Sequence, residues 1–133
     1  MAGQICQRLI RKVWRSYAYD LENVPEDEGI YVIGLEDARD GVTYLYLGYS
    51  SNVHERLQEH KYQSLKIDEF IKEQFRKNGG TKLRIKWVLE PDSKQEEGAC
   101  LHCIEKKLGY QLRYNIRREH CCLLYTSPSP RDA

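Results

Sequence analysis

Two β-rich runs separated by a turn constrain the fold of this chain more than any other feature. Residues Ile30–Leu35 form a compact apolar run, and residues Val42–Tyr49 are rich in β-branched and aromatic side chains. The residues between the runs end in Arg-Asp-Gly, which is typical of a turn. The pattern predicts an antiparallel hairpin whose loop is longer than two residues. In such a hairpin, Tyr31 and Tyr46 can place their phenols on one face of the sheet.

The remaining elements predict an α+β fold. Residues Lys82–Leu89 alternate between apolar and basic side chains, which is typical of a half-buried strand with a basic outer face. Apolar residues recur at helical spacing in four other segments, so the predicted order is helix, strand, strand, helix, helix, strand, helix. The expected architecture is a three-stranded antiparallel sheet flanked by helices, with an extra amphipathic helix at the N-terminus. The basic residues assigned to that first helix are Arg8, Arg11, Lys12 and Arg15.

Length and composition favour a single intracellular domain. The chain has 133 residues, of which 41% are hydrophobic and 31% charged, and no apolar run is long enough to cross a membrane. Five cysteines are an odd number, which fits reduced thiols in the nucleus or cytoplasm better than a secreted disulfide framework. We expect one domain over residues 1–121. Residues 122–133 resemble a translated cloning adaptor and are expected to be a disordered or artefactual tail.

The net charge of +1 hides an uneven distribution of charge. Residues 1–18 carry four basic side chains and no acid, whereas residues 19–41 carry eight acids and one arginine. Residues 42–87 carry nine basic and five acidic side chains. The middle of the chain is therefore basic enough to face phosphates if its charges share a surface.

Two tripeptides on the predicted hairpin form a joint motif with the helix that follows. Gly29-Ile30-Tyr31 starts the first strand, and Tyr46-Leu47-Gly48 ends the second. The next residues follow the pattern Gly-x-Ser-x-Asn, and Arg56 and His60 stand at i and i+4 on the predicted helix. In these features, over roughly residues 28–115, the chain resembles the GIY-YIG nuclease superfamily, with leucine in place of the usual isoleucine of the second triplet.

This resemblance implies a metal-dependent DNA endonuclease that hydrolyses a phosphodiester by one-step attack of water. Tyr31 would activate or orient the water, with support from Tyr46. Arg56 would stabilise the transition state, and His60 would assist at the phosphate. These residue types suit the chemistry, since an arginine fork matches a phosphate and a phenol can orient or deprotonate a water.

The resemblance also implies a metal-binding glutamate on the last helix, which would hold Mg²⁺ (or Mn²⁺). We assign this role to Glu97, because it lies four residues before Leu101 on the apolar stripe of that helix. Asn115 matches the trailing asparagine of the family and is expected to be structural. A direct count back from Asn115 places Cys103 at the glutamate position instead, in which case the metal site is lost.

The other candidate residues and partners follow from the same pattern. DNA is the expected partner, together with a possible homodimer or an additional targeting subunit, and no membrane. A catalytically inactive nucleic-acid-binding module and an interaction domain that uses the acidic segment are the alternatives. A zinc site that includes Cys100 and Cys103 is a further interpretation. The expected substrate-binding residues are Ser50, Asn52, Lys82, Arg84 and Lys86, and the expected structural residues include Gly29 and Gly48.

Overall fold

The computed structural model describes residues 2–39 and 41–115. In this part of the chain, an antiparallel sheet of four strands carries helices on both faces, so the predicted α+β class is confirmed. Residues 122–133, the predicted tail, lie outside the described residues. The strands are β1 (Arg15–Ser16), β2 (Gly29–Glu36), β3 (Val42–Ser50) and β4 (Leu83–Leu89); the helices are α1 (Ala2–Arg11), α2 (Tyr17–Asp20), α3 (Val53–Glu59), α4 (Lys66–Asn78) and α5 (Glu97–Leu108); and short 3₁₀ turns occupy Leu21–Asn23 and Lys94–Glu96.

The strand order in the sheet is β1-β4-β2-β3, with every neighbouring pair antiparallel. The predicted hairpin of β2 and β3 is therefore confirmed, and β4 is the third strand that the alternating pattern predicted. The prediction of only three strands was wrong. Arg15, which the sequence analysis assigned to the first helix, lies instead in β1, opposite Ile85 of β4.

Each face of the sheet is covered by a separate apolar cluster. Tyr31 and Ile33 of β2 pack with side chains of α2, α3 and α4 on one face, which we call the tyrosine face. Ile30 and Val32 point to the opposite face, where they pack with α1 and α5. The sheet is thus buried on both sides, which explains why β2 is apolar along most of its length rather than alternating.

A bulge at Leu45 decides which tyrosines of β3 share a face. Tyr46 is paired with Ile33, but the next pair along the hairpin joins Tyr44 to Gly34, so Leu45 is the extra residue. Residues two apart in a regular strand point the same way. Because of the bulge, Tyr46 packs on the tyrosine face whereas Tyr44 packs on the opposite face.

The segment after α5 closes the outer edge of β3. The side chain of Asn115 accepts a hydrogen bond from the backbone N–H of Leu47 and donates one to its carbonyl, both at 2.8 Å. The Tyr114 N–H donates to the carbonyl of the bulge residue Leu45 at 3.0 Å, and the Tyr110 hydroxyl accepts from the Tyr44 N–H at 2.9 Å. These bonds satisfy strand groups that an open edge would leave unpaired.

The predicted basic outer face of β4 is wrong at Lys86, which is buried. Lys86 is 2% exposed, because α1 and the chain that leads into β1 cover this side of the strand. Its Nζ donates to the Ile10 carbonyl at 3.1 Å and to the Tyr44 hydroxyl at 2.7 Å, and lies 4.4 Å from the centre of the Trp14 ring. Burial lowers the pKa of Lys86 from 10.5 to about 8. Lys86 therefore holds α1 against the sheet, and the predicted exposed basic face of β4 is wrong at this residue.

Within the described residues, no helix is both long enough and apolar enough to cross a bilayer.

We predict that the burial of Lys86 gives the fold a distinct pH dependence. A lysine whose pKa is lowered in the folded state binds fewer protons there than in the unfolded chain, so stability rises with pH between the two pKa values. The free energy of unfolding should therefore rise between pH 8 and 10.5 relative to that of Lys86→Met, by up to about 3 kcal/mol. Denaturant titrations of both proteins across this range test the prediction, and parallel curves would contradict it.

Candidate active site

Three aromatic rings from three elements meet on the tyrosine face. The ring centres of Tyr31 and Tyr46 lie 6.3 Å apart, and those of both tyrosines lie within 5.7 Å of the His60 ring. Tyr31 is paired with Gly48 in the hairpin, and Tyr46 precedes Gly48 by two residues, so both phenols share a face as the sequence analysis predicted. His60 directly follows α3 and caps its C-terminal end.

The two glycines of the motif make room for close approaches. A Cβ at Gly48 would lie 2.5 Å from the Tyr31 hydroxyl and 2.9 Å from the Tyr46 ring. A Cβ at Gly29 would lie 2.3 Å from the Val88 carbonyl of the neighbouring strand. Both distances are too short for a side chain, so Gly48 allows the tyrosines to meet and Gly29 allows β4 to pair with β2.

A buried hydrogen-bonded chain runs from Tyr31 through His60 to Asp68. The Tyr31 hydroxyl lies 2.7 Å from Nε2 of His60, and Nδ1 of His60 is in hydrogen-bond contact with Oδ1 of Asp68. The other oxygen of Asp68 accepts a hydrogen bond from the Leu65 N–H at 2.9 Å, at the start of α4. The side chains of Tyr31, His60 and Asp68 are all buried.

These contacts define the direction of each hydrogen bond. A carboxylate only accepts, so Nδ1 of a neutral His60 carries the proton and donates to Asp68. Nε2 is then an acceptor, and the Tyr31 hydroxyl donates to it. Burial lowers the pKa of His60 below 6.5 although the hydrogen bond to Asp68 raises it, and the Arg56 charge acts in the same direction as burial. The net shift favours this neutral form.

The ionisation of Tyr31 is opposed by its surroundings. Burial, with the nearby Tyr46 as the next cause, raises the pKa of Tyr31 well above 10.0. The charge of Arg56 acts in the opposite direction. Tyr31 is therefore a neutral phenol at rest whose proton points toward a neutral imidazole.

Arg56 is the cation of the site. Its side chain is 22% exposed, and Nη1 contacts Glu59 at 3.3 Å and Gln63 at 2.8 Å. Burial opposes its charge, but Tyr31, Tyr46 and Asp68 raise the pKa of Arg56 above its usual value. The guanidinium is therefore charged and partly exposed.

Glu97 is the first residue of α5 and is half-buried. The apolar stripe of α5 packs on the face opposite Tyr31. The Glu97 charge raises the pKa of Tyr31 only as the smallest of the causes, after burial, Tyr46 and Tyr17. Among the described residues, no three His, Cys, Asp or Glu side chains are grouped closely enough to hold a metal. A single carboxylate fits Mg²⁺ or Mn²⁺ that keeps water and phosphate ligands, and it does not fit a zinc site with four protein ligands.

The remaining predicted substrate-binding residues are engaged within the fold or lie at its surface. The Ser50 hydroxyl donates to the Asn52 carbonyl and accepts from its N–H, and the Asn52 side chain caps α3 by accepting from the Glu55 N–H. Arg84 forms an ion pair with Glu36 at 2.6 Å. Lys82 is exposed.

The cysteines of the described region are reduced and packed into the α1 and α5 side of the fold. Cys6 and Cys100 are buried and Cys103 is half-buried. Burial and a hydrogen bond with Cys103 raise the pKa of Cys6 to about 12, and burial raises that of Cys100 to the same value. Such thiols are poor metal ligands and poor nucleophiles.

Asp68 is the residue of the site that sequence reasoning missed. It occupies the first turn of α4, where an acidic residue is expected merely to cap the helix. Asp68 lies eight residues after His60, a spacing that no helical or strand pattern links to a contact. The turn between α3 and α4 is what brings Asp68 to His60. An aspartate at N3 of the helix that follows the Arg-x-x-x-His motif was the available signal.

No protein-family model, curated protein or solved structure matches this chain.

We predict that Gly48→Ala destabilises the protein through the tyrosine pair. The new Cβ would overlap the Tyr31 hydroxyl, so the free energy of unfolding should fall by about 1–3 kcal/mol. Gly98→Ala is the matched control, because no atom lies within 4 Å of its new Cβ and the residue lies in α5. That variant should be neutral or stabilising by up to about 1 kcal/mol. Equal stability of the two variants in urea titrations would contradict the prediction.

Proposed function

We propose that this chain is a metal-dependent DNA endonuclease of the GIY-YIG type. The observation that supports the proposal best is the meeting of Tyr31, Tyr46 and His60 on one face of the sheet, within the field of Arg56. Four residues of three types, all suited to phosphodiester hydrolysis, come from separate positions of one motif. An exclusively structural sheet does not require that combination.

In this proposal, Tyr31 and His60 move a proton as a pair. The attacking water loses its proton to the Tyr31 oxygen while the Tyr31 proton passes to Nε2 of His60. Asp68 stabilises the imidazolium that forms, since it already accepts from Nδ1. Both ring nitrogens of His60 are engaged inside the protein, so we assign it this proton-accepting role rather than a direct contact with the phosphate.

Arg56 supplies positive charge at the scissile phosphate. Its fork is held at the surface by Glu59 and Gln63, and a phosphate that replaces these contacts would bind bidentately. Mg²⁺, when bound beside Glu97, would neutralise the phosphate oxygens and the departing alkoxide. Tyr46 packs against Tyr31 and His60 and restricts the orientation of both rings.

A catalytically inactive nucleic-acid-binding module is the second candidate function. The complete burial of Tyr31 and His60 favours it, because a water must reach the phenol before hydrolysis can occur. In that case the Tyr31–His60–Asp68 chain is structural, and Arg56 contributes only to phosphate binding. The two functions differ in cleavage and not in affinity for DNA.

We predict that Glu97→Gln abolishes cleavage without weakening DNA binding. The wild-type chain should nick supercoiled plasmid in Mg²⁺ and not in EDTA. Glu97→Gln and Arg56→Gln should each lower the rate by about 100-fold or more, because a transition-state charge loses its partner. Glu105→Gln is the control: Oε2 of Glu105 accepts from the Leu112 N–H at 2.8 Å, and an amide oxygen can accept the same bond.

The outcomes separate the two candidate functions. A wild-type chain that binds DNA with a steep salt dependence, but leaves plasmid intact in both Mg²⁺ and Mn²⁺, is a binding module. Normal cleavage by Glu97→Gln would show that Glu97 is not the metal ligand.

A further inference from the structure

An open pocket of about 360 Å³ lies beside the short strand β1, outside the residues of the candidate active site. It is lined by Lys12, Val13, Arg15, Lys86 and Trp87, so three of its five lining residues are basic and none is acidic. Lys12, Val13 and Arg15 are exposed, and Trp87 is half-buried. The pocket therefore offers a positively charged surface with an aromatic wall.

The register of the sheet places two side chains of this pocket, Arg15 and Trp87, on the tyrosine face, whereas Lys86 lies on the opposite side of β4 beside Tyr44. Trp87 of β4 is paired with Tyr31 of β2, and Arg15 of β1 is paired with Ile85, two residues before Trp87. Paired residues of neighbouring strands point to the same face. Arg15 and Tyr31 thus share a face and lie two strand spacings and about two residues apart, a separation on the order of 12 Å.

The side chains of the pocket are arranged to hold an anion. The Arg15 guanidinium lies 5.7 Å from the centre of the Trp87 ring, which restrains it beside the pocket, and its ion pair with Asp20 is a long one of 3.7 Å. The amine of Lys86 is bonded to Ile10 and Tyr44, so it contributes charge to the floor rather than a direct contact. Lys12 and Arg15 are the side chains that can reach a ligand.

We propose that this pocket binds a backbone phosphate of the nucleic acid strand whose scissile phosphate lies at Tyr31 and Arg56. The inference rests on the proposed function for the identity of that strand. Arginine forks match phosphate oxygens, and an aromatic wall can contact the adjoining sugar or base. Successive phosphates of one strand are farther apart than the axial rise of about 3.4 Å, so a separation of about 12 Å is spanned by a few consecutive nucleotides at most. The pocket thus extends the contact surface of a small domain beyond the reacting phosphate.

The test is the salt dependence of DNA binding, measured in EDTA so that cleavage plays no part. Fluorescence anisotropy of a labelled 20-base-pair duplex would be followed between about 50 and 200 mM salt. For Lys12→Gln/Arg15→Gln, we expect a slope of log K against log salt that is smaller by about 1, the value of one phosphate contact. The matched control is Lys106→Gln/Lys107→Gln, which removes two exposed charges from α5 on the opposite face.

A second readout reports directly on the pocket. In a Trp14→Phe background, Trp87 is the remaining tryptophan, and its emission should change when the unlabelled duplex binds. Lys12→Gln/Arg15→Gln should diminish this change, and Lys106→Gln/Lys107→Gln should not. A slope and an emission change that match those of the control variant would overturn the proposal.

These results are separable from those that test the nuclease. If the wild-type chain cleaves DNA and Lys12→Gln/Arg15→Gln leaves the salt slope unchanged, the pocket does not bind a phosphate, but the proposed function is unaffected. If Lys12→Gln/Arg15→Gln lowers the salt slope but the wild-type chain never cleaves DNA, the pocket binds a phosphate and the nuclease proposal is wrong.

Discussion

The buried hydrogen-bonded chain of Tyr31, His60 and Asp68 is the interaction on which the arrangement of the site depends. It joins β2 to the end of α3 and to the first turn of α4, three elements that are separate in sequence. Each of its polar atoms is removed from water, so loss of one partner leaves a buried group unsatisfied at a cost of about 1–3 kcal/mol. The same chain that fixes the fold also fixes the tautomer of His60 and the direction of the Tyr31 proton.

The bulge at Leu45 gives the two faces of the sheet different chemistry. It turns Tyr46 toward Tyr31 and His60, while Tyr44 turns to the opposite face and accepts a hydrogen bond from Lys86. One face therefore carries the candidate site, and the other fixes α1 and α5 through a buried lysine and an apolar cluster. A regular strand would have placed both tyrosines on one side.

The hairpin, the third strand and the helices could be predicted because each depends on local pattern. The register of Tyr31 and Tyr46 also followed from the period of a strand, although it held only because the bulge lies on the N-terminal side of Tyr46. Lys86 could not be placed from the sequence, since an alternating strand does not reveal whether a further layer covers its polar side. Strand β1 and Asp68 were missed for a related reason: both acquire their roles from contacts with residues distant in the sequence.

The central claim is that Tyr31 donates its proton to a neutral His60 held by Asp68, and ¹⁵N NMR of the His60 side chain tests it most directly. Burial lowers the pKa of His60, so the ring should be neutral at neutral pH, with a protonated Nδ1 and a non-protonated Nε2. Tyr31→Phe should shift the Nε2 resonance because it removes the donor, whereas a substitution on the opposite face should not. A protonated Nε2, or an imidazolium at neutral pH, would contradict the account.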